Sequence, residues 1–396
     1  MKHNNQSNIN TDYSKGLIKK EVTTTRIVFI DLMRAYAILM MVQGHAVKCL
    51  LANVFNDSSF SFIHFLRFMR GVTAPVFFFA SGTIFSYLLF REESKGIYFD
   101  NPRVKKGIKR AIMLIAIGYL LQINPKMLQF LSDFDVNNQK WFFMVHVLHV
   151  IGISIFFLVI FYLISYKTKI NFGVLLFIIG NSLFLIDPSV KQFDWNAVLP
   201  MPLANFFTKQ NNSAFVLVPW SGISFLGAAF GFLIYKYKKL YSSKLLFITI
   251  ILCGILLSFF SSSLLKFIYY NLIHWDNINY LYLHNAMYFR LGNILIITGV
   301  LGLIAQSFKI PKIISTIGSE TLTIYVTHSI IIYGSLIGVG LKTFWENSLN
   351  PYEMIIVVIL VEALMIYFAY KAKDFKTYVK NTRNKINKKL FKQYSS

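Results

Sequence analysis

Long apolar runs recur along this chain, separated by short polar and mostly basic stretches. Ten of them approach the roughly 20 residues that an α-helix needs to cross a ~30 Å hydrocarbon core. They fall at about 27–50, 66–90, 107–123, 143–165, 171–187, 214–235, 245–265, 287–307, 318–339 and 353–370, the third and fifth being short. The strict alternation of a membrane β-strand is absent. The pattern predicts an all-α, polytopic membrane protein of about ten spans, with a basic leader over 1–26, a membrane domain over 27–370 and a polybasic tail over 371–396. The first run follows a polar leader and is not trailed by a small-residue cleavage site, so it is expected to stay as an anchor.

Composition agrees with this reading. Hydrophobic residues make up 55% of the 396, charged residues only 14%, and mean hydropathy is +0.54, values foreign to a soluble chain of this length. Charge then orients the spans. With the N-terminus inside, 29 Lys and Arg fall on the cytoplasmic side against ten on the other, so both termini are expected in the cytoplasm. The expected setting is a multi-pass protein of a bacterial plasma membrane. The same asymmetry accounts for the net charge of +23. A polybasic juxtamembrane tail suits anionic lipid headgroups, and no nucleic-acid partner is expected. Cys49 and Cys253 are too few for a disulfide framework.

Ionisable residues inside the apolar runs are costly and ordinarily face a protein interior or a wet cavity. The first run carries Asp31, Arg34 and His45, all on one side of a helix, with Arg34 and His45 about 20° apart around the axis and roughly 16 Å apart along it. Arg67 and Arg70 begin the second run, which continues through Pro75, Ser81 and Gly82. His146 and His149 stand one turn apart in the fourth, without a nearby third ligand, and no metal site is expected. Trp220 opens the sixth, ahead of Gly222, Gly227 and Gly231, where an interfacial anchor and a small-residue packing stripe also explain the pattern. Arg290 and Asn293 share one turn of the eighth run; Tyr325 and His328 share one turn of the ninth, where His328 also suits a hydrogen-bonded packing role. Glu362 in the tenth is isolated.

These residues bring a family into view. IDLMRAYAILMMVQGH (30–45) resembles the first-span signature of the heparan-alpha-glucosaminide N-acetyltransferase catalytic-domain family of multispan acyltransferases. RFMRGVTAPVFFFASGT, VLHVIGIS, VPWSGISFLGAAFG and TIGSETLTIYVTHSIIIY are similar, in order, to its later spans, so the resemblance runs from about Arg26 to Tyr333. Ala35 departs from the glycine usual after the first-span arginine, and the lysosomal sugar substrate is not carried over. The spacing of Arg34 and His45 also resembles the arginine–histidine signature of acyltransferase family three.

Both resemblances imply transfer of an acyl group, from acetyl-CoA or another acyl-CoA, to a sugar hydroxyl or amine of a glycan or glycolipid acceptor. Such chemistry needs a base or nucleophile, which imidazole supplies, and a cationic or hydrogen-bonding partner for the oxyanion. On this reading His45 is the base or nucleophile. Arg34, oriented by Asp31, holds the anionic part of the donor, and Arg70 meets the acceptor or the oxyanion. Arg67, His149, Trp220, Arg290, Asn293, Tyr325 and His328 are the candidate substrate contacts. Homo-oligomer formation is left open. The alternative is a secondary transporter of a small polar or anionic solute, whose midplane charges and Gly/Pro-broken helices give a similar sequence pattern.

Overall fold

The computed structural model describes residues 27–55, 61–92, 98–123, 125, 140–237 and 243–394, the side chains at 61–70, 99 and 383–394 excepted. Among them the chain forms fifteen α-helices and no strand: α1 Val28–Leu50, α2 Ser61–Arg91, α3 Pro102–Leu120, α4 Val147–Thr168, α5 Phe172–Gln192, α6 Trp195–Val198, α7 Met201–Ala204, α8 Leu217–Lys236, α9 Lys244–Asn271, α10 Asp276–Leu283, α11 Ala286–Ser307, α12 Lys312–Ser319, α13 Thr321–Tyr333, α14 Leu341–Trp345 and α15 Pro351–Tyr394.

Seven of the described helices, α2, α4, α5, α8, α9, α11 and α15, are long and apolar enough to cross a membrane. The chain is thus an all-α polytopic membrane protein. Three predicted spans take other forms. The first is α1, a full-length helix that carries Asp31, Arg34 and His45 within its apolar sequence. The third starts earlier than its apolar run: Pro102 occupies the first turn and Asn101 caps it by accepting the Arg103 N–H, so the basic residues 103–110 are already helical and only the last ten residues of α3 are uncharged.

The ninth is broken. The run predicted over 318–339 divides at Glu320 into α12 and α13, and it ends at Gly334, whose φ of 74° lies in the left-handed region that glycine enters without penalty. The chain then turns, and the Leu336 N–H donates to the Ile123 carbonyl beyond the end of α3. The tenth is longer than predicted: α15 continues through the basic residues for 44 residues, a length of about 66 Å.

Glycine sets how closely these helices approach. A Cβ on Gly227 or Gly231 of α8 would run into the α2 backbone at Phe79 and Thr83. These two glycines are four apart and share a face, whereas Gly222, five before Gly227, points elsewhere and meets Gly180 and Phe184 of α5. The stripe read from sequence therefore serves two helices. Thr83 adds a hydrogen bond across the first contact, its hydroxyl donating to the Gly227 carbonyl at 2.9 Å. Phe78, Phe79, Phe172 and Phe184 fill the space around α8 and are fully buried.

α1 sits at the centre of the bundle, packed on α2, α11, α12, α13 and α15. The α12 backbone comes against it so closely that Gly318 has room for no side chain beside the Asp31 backbone. The break after α12 therefore lies at the Asp31–Arg34 end of α1, and α13 runs from there along the side that carries Arg34 and His45.

Candidate active site

Two cavities flank this central pair of helices. One, of about 690 Å³, is lined by Arg34 of α1, Ser81 of α2, Arg103 and Arg110 of α3, Glu320 and Thr321 at the helix break, and Lys376 of α15. The other, of about 700 Å³, is lined by His45, Lys48, Thr73, Gln122, Trp141, His146, Ser329 and Tyr333. They occupy opposite ends of α1. Phe77 of α2 and Tyr325 of α13 line both, so these two rings form the wall between them.

The Arg34 cavity is strongly basic. Arg34 Nη2 donates to the Thr321 hydroxyl at 2.8 Å, a bond available because the break at Glu320 makes Thr321 the first residue of α13. Glu320, only 6% exposed, accepts from the Thr323 hydroxyl at 3.0 Å and from the Lys376 ammonium at 2.5 Å. Lys373, one turn earlier on α15, donates to the Thr316 hydroxyl at 2.9 Å. Arg103 pairs with Glu92 at 2.5 Å, and that hydrogen bond holds the Glu92 carboxyl below its usual range. Arg110 has no carboxylate within 4.0 Å among the described residues. Among the described residues, four cations and one carboxylate thus line this chamber.

In the other cavity His45 is the centre of a ring cluster. Its Nδ1 lies 2.9 Å from the Tyr333 hydroxyl, and its ring packs edge-on against His328 at 5.2 Å between centroids. His328 in turn packs edge-on against Tyr325 at 5.2 Å. His328 Nδ1 sits 3.1 Å from the Ile324 carbonyl, which only accepts, so that nitrogen carries the proton; Nε2 is buried and makes no hydrogen bond among the described residues.

The structure thus brings together Arg34, His45, Tyr325 and His328 of the sequence candidates, on α1 and α13. Asp31 is buried beside α12, at the foot of the Arg34 cavity but off its wall. Arg67 and Arg70 are helical, and their side chains lie outside the described residues. The remaining candidates stand away from both cavities. His149 is fully buried, its Nδ1 accepting the His146 backbone N–H, and it is His146 that reaches the cavity. Trp220 is enclosed between Phe78 and Phe215, with Arg290 stacked over its ring at 5.6 Å, and Asn293 follows one turn along α11.

Sequence reasoning did not select Phe77, Tyr333, Arg103, Arg110 or Lys376. Phe77 and Tyr333 carry no signal that sets them apart from the chain's other aromatic residues. The three cations read as topology signals or lipid-facing charge, and only the fold turns them toward a cavity.

The fold thus places a basic cavity and an imidazole-lined cavity at opposite ends of α1. The family model described as heparan-alpha-glucosaminide N-acetyltransferase, catalytic, matches residues 26–254, more than half of the chain, and the chain belongs to that family. The match takes in α1 to α8 and the first part of α9; the α13 motif that resembles the family's closing helix lies beyond it. The protein is therefore an integral membrane protein of an acetyltransferase family. No curated protein matches the chain.

Proposed function

We propose that this protein transfers an acetyl or similar short acyl group from a cytoplasmic acyl-CoA to a hydroxyl or amine of an envelope glycan or glycolipid presented from the opposite side. The observation that carries the reading is the pair of cavities at opposite ends of α1, one basic and one holding His45, with a shared wall at Phe77 and Tyr325.

The excess of Lys and Arg on one side of the expected topology supports a cytoplasmic Arg34 cavity. Its cations suit the phosphates of an acyl-CoA: Arg103, Arg110 and Lys376 meet the polyanionic end and Arg34 holds the arm as it approaches the wall. The donor is too polar to cross, so its thioester is met at the wall by an acceptor entering the His45 cavity. There His45 removes the acceptor's proton as it attacks. For this, Nδ1–H donates to the Tyr333 oxygen, which fixes the tautomer and leaves the Nε2 lone pair as the base. Purified protein in liposomes tests the reading. Acetyl-CoA consumption coupled to acceptor labelling is expected; solute movement without thioester consumption would favour the secondary transporter instead.

A further inference from the structure

We infer that Tyr325 supplies the oxyanion hydrogen bond of the transfer step and, with Phe77, forms the partition at which donor and acceptor meet. The inference rests on the acyl-transfer reading above and adds a catalytic residue to it. Three observations carry it. Among the described residues Tyr325 and Phe77 alone line both cavities, and Phe77 has no polar side-chain atom, so the phenol is the polar side-chain group of the shared wall there. The Tyr325 hydroxyl makes no hydrogen bond among the described residues, nor is it one of the buried, unpartnered side-chain atoms, so it faces cavity space with its donor uncommitted. Its ring is held from behind, edge-on to His328 at 83°, and His328 is edge-on to His45 at 72°.

A carbonyl brought to this wall meets a fixed O–H donor on one side and His45 beyond it. The acceptor oxygen or nitrogen bonds to the thioester carbon as its proton passes to His45. The carbonyl π pair moves onto oxygen, and Tyr325 donates its hydrogen bond to that oxyanion. Collapse restores the C=O and breaks the C–S bond; the departing thiolate takes the proton from the imidazolium and leaves as the thiol. Tyr325 keeps its own proton throughout. A donor already in place where charge develops stabilises the transition state more than the ground state. A phenol that makes no hydrogen bond among the described residues and opens to cavity space is placed for such a use.

The test compares parent, Tyr325→Phe and Tyr325→Ala, purified in detergent, with labelled acetyl-CoA as donor and glucosamine, which offers hydroxyls and an amine, as acceptor. Tyr325→Phe keeps the partition and loses only the donor; kcat is expected to fall about 10²–10³-fold, with KM for both substrates within about twofold of the parent. Tyr325→Ala opens the wall, and hydrolysis of acetyl-CoA without transfer is expected to rise. A Tyr325→Phe protein with parental kcat, or one impaired only through KM, overturns the assignment while leaving acyl transfer intact. A parent protein that transfers no acetyl group overturns both.

Discussion

The Tyr333 hydroxyl lies 2.9 Å from Nδ1 of His45, although the two residues are 288 positions apart. Tyr333 is the last residue of α13, and Gly334 fixes its place by turning the chain away in a left-handed conformation. The imidazole of α1 is thus oriented by a hydroxyl from the helix that also supplies the wall residue Tyr325. Tyr333→Phe removes this bond, together with the contact of the same hydroxyl with the Cys49 thiol, and keeps the ring. A hydrogen bond of roughly 1–1.5 kcal/mol corresponds to about tenfold in rate. Steady-state kinetics should show kcat per folded molecule lower by that factor; a parental kcat would leave Tyr333 without a part in orienting His45.

Arg34 is predicted to act through the shape of its guanidinium as well as its charge. It donates one N–H to Thr321 and lines the basic cavity. Arg34→Lys keeps the charge and loses the planar donor set. Loss of a charge-assisted hydrogen bond of about 1.5–3 kcal/mol should raise KM for acyl-CoA by roughly 10–100-fold, measured at saturating acceptor and with expression unaltered. A lysine variant with the parental KM would reduce Arg34 to a structural partner of its neighbours.

The fold makes a separate prediction at the α2–α8 contact. Gly227→Ala drives a Cβ into the Phe79 backbone, which must shift. Overpacking of this kind costs about 1–3 kcal/mol, so the unfolding midpoint in detergent should drop, while transfer per folded molecule is retained because neither cavity includes Gly227. An unchanged midpoint would mean that α8 can retreat from α2 at no cost.

Sidedness underlies the assignment of donor and acceptor to their cavities. Reporter fusions after Ser94 and after Ser396 should both report the cytoplasm, because the 91–110 region and the tail carry the clustered Lys and Arg. An extracytoplasmic signal from either fusion would reverse the assignment or break the topology.

Much of the local architecture was legible in the chain, and most of the convergence was not. Apolar run lengths located the membrane helices, and helical periodicity placed Arg34 and His45 on one face of α1, where each now lines a cavity. The break at Glu320 was harder to read, since the residues on both sides of Gly318-Ser319-Glu320-Thr321 are apolar enough to suggest one continuous span. The pairing of His45 with Tyr333 depends on how α1 and α13 pack, which no period within either helix encodes. Arg290 and Trp220 share the intramembrane position and residue types of a site, yet they stack on each other away from both cavities. Lys376 lay in a tail read as lipid-facing; the continuous α15 helix carries it back to Glu320.

The most direct test of the account is sided acyl transfer by the parent and His45→Ala proteins in sealed liposomes. Labelled acetyl-CoA is supplied only on the side of the basic cavity and the glycan acceptor only on the other. The account predicts that the parent labels the acceptor across the membrane and that His45→Ala, folded and inserted, does not. Equal labelling by both proteins would contradict the role of His45, and labelling that requires donor and acceptor on the same side would contradict the two-cavity mechanism.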